Sequence, residues 1–215
     1  SSLDSHAKWA DVEKKLTSHV LSAQPVDGND KQSSWLTLED MDFANKVLDS
    51  SKKRFYSGRK GIEPAGAKGG YLLKKPIKSR DGLLLIENCI ERQRRKDFIK
   101  KGIHKEKVEE TYVYPMLGGR NIAKWQVKSN EYMLVPHTAA YKYGVPVKEL
   151  EKNAPKTSEW LFYYHDELLA SRKQNGKFFN ANTQPYYRLD NVGEYTYAPY
   201  KVLWKEQTGS MSAVV

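Results

Sequence analysis

The chain contains very little cysteine, since Cys89 is the only one in 215 residues. A single thiol excludes an internal disulfide framework and any zinc site that needs several cysteine ligands. We expect Cys89 to be a buried structural thiol in a reducing compartment. The chain also has no run near the ~20 apolar residues that span a bilayer, and its first residues lack the apolar core of a signal peptide.

Catalytic patterns are also scarce. The histidines are His6, His19, His104, His137 and His165, and they form no pattern typical of a metal site. The pair His165-Asp166 has no partnered serine or nucleophile elbow beside it. Residues 11–15 contain the minimal acid and lysine string of a nuclease, which arises by chance in charged chains. We therefore predict no catalytic and no metal-binding residue, and a stand-alone nuclease is the least favoured alternative.

Positive charge is what the chain has in excess. It contains 36 lysines and arginines against 26 acidic residues, a formal net charge of +10. Such a balance favours polyanionic partners such as nucleic acid. The 14 tyrosines suit sheets and wet interfaces, because their rings pack while their hydroxyls form hydrogen bonds. A protein-interaction or regulatory fragment whose basic face is only solvated remains the alternative.

Potential nucleic-acid ligands concentrate around a glycine pair near the middle of the chain. Gly118 and Gly119 allow the backbone to take φ > 0 or to approach another surface closely. Arg120, Asn121 and Lys124 follow, and such side chains read base edges or hold phosphates. We predict that these residues bind nucleic acid.

A second glycine-rich stretch, residues 55–73, holds five glycines before a short apolar strand. A loop of this kind can cradle a phosphate. It lacks the spacing of a Walker loop and the context of a dinucleotide fingerprint. A glycine-bent loop between strands is an equally good interpretation.

Hydrophobic patterning predicts both helices and strands. Helices are predicted over residues 9–20, residues 37–50, and from residue 158 to just before 176, and strands at residues 83–86, at 132–135 and in a small antiparallel sheet within 186–204. Residues 146–156 are expected to form a connector, and the basic residues 92–107 a strand followed by an exposed turn. Ile122 and Trp125 are expected to pack in the core.

The order of these motifs resembles the target-recognition (specificity) region of adenine-N6 DNA methyltransferases, in the TaqI-like and Eco57I-like (type IIG) enzymes of restriction–modification systems. The resemblance rests on the glycine loop from residue 56, on residues 113–125, and on residues 160–172 with the aromatic segment after them. It implies an α+β fold of twisted antiparallel or mixed sheets with a few packed helices. It also implies that residues 1–35 connect to a missing upstream domain, and that residues 36–215 form a recognition domain cut short at its C-terminus.

In that family, catalysis resides in a separate Rossmann-like domain with an AdoMet loop and an Asn/Asp-Pro-Pro-Tyr/Phe box. This chain has neither the loop nor any Pro-Pro dipeptide. The resemblance therefore implies a fragment that binds no cofactor and does not methylate, covalently linked to a methyltransferase domain that uses AdoMet. It implies double-stranded DNA as partner, and the prokaryotic cytoplasm as location.

The resemblance extends the predicted DNA contacts beyond the central stretch. Asn121 stands where many relatives have aspartate. The added contacts are Arg59, Lys60 and Lys68 in the glycine loop, His137 as a surface histidine, and Arg172 with Lys173 at a helix end. For the last two, a favourable interaction with the helix dipole is the alternative.

Overall fold

A computed structural model of the chain describes residues 8–14, 23–25, 28–30, 32–33, 35–37, 57–174, 179–205 and 213–214. The chain divides into two compact units, residues 1–58 and 59–215. The domain boundary predicted between residues 35 and 36 stays a prediction.

The first unit contains a short helix and a strand pair. Helix α1 spans Trp9–Glu13, where a helix was predicted, and residues 15–20 lie outside the described residues. Strand β1 (Ala23–Pro25) pairs antiparallel with β2 (Trp35–Thr37). The helix predicted over 37–50 lies outside the described residues beyond Thr37.

The second unit mixes short helices and short strands. Its helices are α2 (Lys68–Tyr71), α3 (Lys96–Lys101), α4 (Val147–Asn153), α5 (Pro155–Tyr163) and α6 (His165–Gln174). Its strands are β3 (Leu72–Leu73), β4 (Ile77–Lys78), β5 (Leu84–Glu87), β6 (Lys105–Val108), β7 (Val113–Pro115), β8 (Ile122–Ala123), β9 (Gln126–Val127), β10 (Tyr132–Leu134), β11 (Leu203–Trp204) and β12 (Ala213–Val214). Single 3-10 turns lie at Ile90–Arg92, Glu110–Tyr112, Gly119–Asn121 and Glu194–Tyr197.

The strands form small antiparallel sheets. The strand orders are β3-β10-β7 and β4-β5-β6, and two further pairs are β8-β9 and β11-β12. This architecture confirms the predicted α+β class. No helix within the described ranges is long and apolar enough to cross a membrane.

The core combines the helices α5 and α6 with the sheet β3-β10-β7, here called the central sheet, and with the sheet β4-β5-β6. Leu161, Tyr164 and Leu168 are buried as the helical spacing predicts. The predicted single helix is broken at Tyr164, and it begins earlier, because Pro155 occupies the first turn, where a missing N–H costs nothing. Trp160 is fully buried, and its indole N–H donates to the carbonyl oxygen of Gly70 at 2.9 Å.

Three sequence predictions of local structure are wrong. The expected connector at 146–156 contains α4 and the start of α5. The basic segment forms α3 before its strand, because Phe98 is fully buried and anchors that helix to the core. In the described tail, β11 pairs with β12 and Asp190 forms a single antiparallel bridge with Glu63, while Glu194–Tyr197 is a 3-10 turn, so the predicted sheet within 186–204 does not form.

Cys89 is buried as predicted, with 3% of its surface exposed. Burial raises the pKa of its thiol to about 11. The thiolate that reactive cysteines need is therefore disfavoured at this position.

Candidate nucleic-acid interface

The central stretch forms a turn that leads into a hairpin. Strand β7 ends at Pro115, the 3-10 turn Gly119–Asn121 follows, and β8 then pairs with β9. Two residues, Lys124 and Trp125, connect these two strands. The glycine pair, the cations and the tryptophan of the predicted signature therefore lie on one continuous element.

Asn121 holds this turn together. Its Oδ1 accepts from the Gly118 N–H at 2.8 Å, and its Nδ2 donates to the Lys128 carbonyl oxygen at 3.0 Å. The amide that was predicted to read DNA is thus engaged inside the protein. Neither glycine has positive φ. An added Cβ at Gly118 would lie 3.4 Å from Asn121 Oδ1, which is an ordinary contact distance.

Arg120 shares a carboxylate with a second arginine. Arg92 donates from Nη1 to Glu131 Oε1 at 2.5 Å, and Arg120 pairs with the same oxygen. Partial burial alone raises the pKa of Glu131, but the hydrogen bonds and charges of the two arginines outweigh it and lower the pKa overall. Glu131 therefore stays ionised and orients the half-exposed Arg120 along an open groove of about 560 Å³, lined by residues 120–121 and 127–131.

Trp125 is exposed, so the prediction that it packs in the core is wrong. Its side chain is 72% exposed, and its backbone has φ of 61°. The tight connection turns the residue away from the sheet, while its N–H donates to the Ala213 carbonyl oxygen at 3.2 Å. Ile122 is buried as predicted, with 5% exposed.

Other exposed or half-buried groups lie near the hairpin. Trp204, 47% exposed, pairs with Ala213 across β11 and β12. Lys205 lies beside Gly119, where an added Cβ would be 3.9 Å from Lys205 Cγ. Lys124 and Lys128 are exposed and have no acidic partner within the described part of the chain. Together these groups form what we call the hairpin surface: Arg120, Lys124, Trp125, Lys128, Trp204 and Lys205.

Sequence reasoning missed three members of this surface. Lys128, Trp204 and Lys205 belong to it only because β9 folds back on β8 and because β12 contacts β8. The hairpin at residues 122–127 had no local signal either, because Lys124-Trp125 lacks the glycine or asparagine that two-residue turns favour. No local sequence pattern indicates that Trp204 of β11 lies near this hairpin.

The predicted cations of the glycine loop are exposed. The Arg59 guanidinium lies 5.9 Å from the centre of the Tyr195 ring. The 3-10 turn that carries Tyr195 also carries Tyr197, which packs edge-on against Tyr114 of β7. Contacts therefore connect Arg59 and its neighbour Lys60 to the strand that leads into the hairpin.

Lys68 lies at the start of α2, which packs against the 3-10 turn Ile90–Arg92. That turn carries Arg92, one of the two arginines paired with Glu131. The glycine loop therefore contains a short helix, and a simple bend between strands does not describe it.

His137 is fully buried, so the expectation of a surface histidine is wrong. Its Nε2 accepts from the Leu189 N–H at 2.9 Å, and its Nδ1 lies 3.1 Å from the Lys142 carbonyl oxygen. Burial, aided by nearby Arg172 and Arg188, lowers the pKa of His137 to about 4. The ring is thus a neutral tautomer with its Nδ1–H donating to Lys142, and it ties two loops together.

Arg172 is also buried, which does not fit a DNA contact, and it lies in the last turn of α6, where an interaction with the helix dipole was the alternative. Only 2% of its side chain is exposed, and Nη1 donates to Asp190 Oδ2 at 2.9 Å. Arg188 pairs with the other oxygen of the same carboxylate at 3.0 Å. The side chain of Lys173 lies outside the described residues.

The sequence patterns considered above as catalytic alternatives do not form a catalytic site among the described residues. Asp11 and Glu13 are exposed on α1. Among the acidic groups of the described residues, His165 Nδ1 contacts only its neighbour Asp166, at 2.8 Å. In the ranges that the structure describes, no group of three histidine, cysteine or acidic residues is placed to hold a metal ion.

Similarity to a known protein points to methyltransferases. Over 135 residues, 61% of this chain, the sequence is 29% identical to Type II methyltransferase M.NspV of Nostoc sp. (strain ATCC 29411 / PCC 7524). The match spans 26% of that protein. No protein-family model and no solved structure matches the chain. The chain is therefore related to a type II methyltransferase through a part of that protein's length.

Proposed function

We propose that this chain is a non-catalytic DNA-binding module that supplies sequence recognition to an adenine-N6 DNA methyltransferase or a fused restriction–modification enzyme. In this proposal, residues 36–215 form the recognition domain and residues 1–35 connect it to a catalytic domain that uses AdoMet. The hairpin surface is the observation that carries the proposal, because it brings exposed cations and exposed aromatic rings together from the β8–β9 hairpin and the neighbouring strand β11. The similarity to a type II methyltransferase supports it.

The groups on this surface suit different parts of DNA. Lys124, Lys128 and Lys205 are flexible point charges that suit phosphates, which position a protein on the duplex. Arg120 pairs with Glu131 through one guanidinium nitrogen. Its other guanidinium N–H groups can donate to the edge of a guanine. Arg59, Lys60 and Lys68 add further positive charge from the glycine loop. Asn121 braces the turn before the hairpin, whereas His137 and Arg172 are buried elsewhere in the fold.

Salt dependence of DNA binding tests the proposal. We expect the chain to bind duplex DNA of mixed sequence with a steep negative slope of log affinity against log salt, since about 6–10 phosphate contacts are typical of such modules. Replacing both Lys124 and Lys128 by alanine reduces the magnitude of this slope by about 2. The measurement is fluorescence anisotropy at several salt concentrations.

Lys148, an exposed residue on α4, provides the matched control. The Lys148→Ala variant is expected to keep the wild-type slope. A wild-type chain that fails to bind at low salt, or that binds with a flat slope, rules out the DNA-binding function. Equal effects of the Lys148 and hairpin variants show that the basic charge acts without a defined surface.

A further inference from the structure

We propose that Trp125 stacks on a DNA base that has left the duplex stack. This inference rests on the proposed DNA-binding function and assigns the hairpin tip a specific ligand. The ligand is the flat face of an unpaired nucleobase, as arises when a base is extruded or when a duplex carries an unpaired nucleotide.

Packing does not explain a tryptophan at this position. An indole contributes to stability mainly through the large apolar area that it buries. Trp125 leaves 72% of its side chain exposed, whereas Trp160 in the same unit is fully buried. The hairpin itself is anchored by Ile122, which is 5% exposed. The indole ring is thus available to a partner outside the described fold.

Turn geometry does not explain the residue either. At φ of 61°, Trp125 adopts the left-handed conformation. This conformation is unfavourable for bulky L residues, and glycine or asparagine adopts it readily. Trp125 thus has a backbone conformation that is unfavourable for its residue type and a side chain that packs little. This combination indicates a role in function.

The tip is also held in place before any ligand binds. The Trp125 N–H donates to Ala213 of β12, and the flanking strands pair Ala123 with Gln126. A ring carried on a fixed backbone loses little conformational freedom on binding. The side chain is therefore presented ready to stack.

The surroundings match the chemistry of an unstacked nucleotide. Lys124 and Lys128, one and three residues from Trp125 in the chain, are exposed cations of the same hairpin, and Ala213, which accepts from the Trp125 N–H, pairs with Trp204. Surfaces that bind unpaired nucleotides combine cations for the backbone with aromatic faces for the bases. In a fully paired duplex the base faces are covered by their neighbours, so the ring has its preferred partner only where a base is free.

Two DNA probes separate stacking from general DNA binding. One is a fully paired duplex, and the other is the same duplex with one unpaired 2-aminopurine nucleotide, whose emission falls when it stacks. We expect Trp125→Ala to weaken binding of the second probe about 5- to 100-fold and to change binding of the first much less. The emission decrease seen with wild type is lost in this variant, and the salt slope is unchanged because no charge is removed.

Three further variants make the test independent of folding defects. Trp125→Phe keeps an aromatic face and retains most of the affinity for the unpaired probe, whereas Trp125→Asn suits the left-handed turn and does not. We expect the asparagine variant to unfold at a urea concentration no lower than wild type. Trp9→Ala, which removes a 71% exposed tryptophan from the first unit, leaves both probes unaffected.

The outcomes distinguish this inference from the function on which it rests. Absence of wild-type binding to either probe defeats the DNA-binding function and the inference with it. Normal binding that Trp125→Ala leaves unchanged on both probes overturns the stacking role alone. Equal losses of affinity for the two probes on Trp125→Ala also overturn it, because a ring that stacks on a free base must distinguish the paired from the unpaired probe. Wild-type affinity of Trp125→Asn for the unpaired probe overturns it as well, because that variant has no ring.

Discussion

His137 is neutral in the folded chain, and this makes stability depend on pH. Its pKa is lowered by burial to about 4, whereas an unperturbed histidine has a pKa near 6.5. Between these values the unfolded chain binds a proton that the folded chain does not. The stabilisation is therefore complete above about pH 6.5 and is lost as the pH falls towards 4. We expect this residue alone to lower the free energy of unfolding by about 2 kcal/mol between pH 7 and pH 5.

Urea unfolding of wild type and His137→Gln at the two pH values measures this effect. A glutamine oxygen can still accept from the Leu189 N–H, but the side chain does not titrate. The variant is less stable at pH 7 and loses about 2 kcal/mol less than wild type on acidification. Parallel losses in the two proteins contradict the assignment of a neutral buried ring.

At the scale of single residues, sequence could indicate which side chains carry chemistry but not where they lie. His137 is buried because Leu189 and Lys142 meet at its ring, and Arg172 is buried because Asp190 neutralises it. These partners are distant in the chain or belong to other loops. The exposure of Trp125 likewise follows from backbone direction at a turn, which hydrophobicity alone does not encode.

At the scale of elements, the turn before the hairpin depends on one side chain. Asn121 forms hydrogen bonds to Gly118 and to Lys128. Removing both by Asn121→Ala is expected to lower the free energy of unfolding by about 1–2 kcal/mol. Asn121→Asp keeps the acceptor for Gly118 and is expected to lose less. Urea unfolding measures both changes.

Asn130 provides a matched control for this turn. It lies in the same groove and is exposed. Asn130→Ala is expected to leave the unfolding free energy within about 0.5 kcal/mol of wild type. Equal effects of the variants at 121 and 130 are incompatible with the bracing role of Asn121.

Elements whose pattern is continuous and apolar were predictable. The strand at Leu84–Glu87 and the strand at Tyr132–Leu134 lie where apolar runs predicted them. The buried face of α5 and α6 also follows its spacing. Helix α3 was missed because one buried phenylalanine, Phe98, anchors an otherwise charged segment. Such a segment has no clear helical period, so its helix depends on tertiary packing.

At the scale of the molecule, the second unit has its own core. The buried cluster of described residues begins at Ala67 and ends at Leu189. All of it falls within residues 59–215. We therefore expect residues 59–215 produced alone to fold and to unfold in one cooperative transition, at the urea midpoint of the corresponding transition in the full chain. Urea unfolding followed by circular dichroism measures this.

Trp160→Ala is the companion variant for this comparison. It removes a fully buried ring and is expected to lower stability by about 3–5 kcal/mol in both the short and the full chain. A broad, non-cooperative transition of the short chain shows that its core needs the first 58 residues.

The class of fold was predictable at this scale, because helical and strand patterns both occur along the chain. The strand orders were not. The central sheet places β10 between β3 and β7, a pairing between segments far apart in sequence. The hairpin surface has the same non-local origin, since β11 and β12 complete it.

The hydrogen bond from the Trp125 N–H to the Ala213 carbonyl oxygen makes the position of the hairpin tip depend on strand β12. A shift of β12 is therefore expected to move the tip with it. Exchanges at Leu203, Ala213 or Val214 can therefore shift the indole while Lys124, Trp125 and Trp204 stay unaltered. For an engineer who wishes to change what the tip touches, the adjustable residues are those of a neighbouring strand pair, and the contacting residues can be kept.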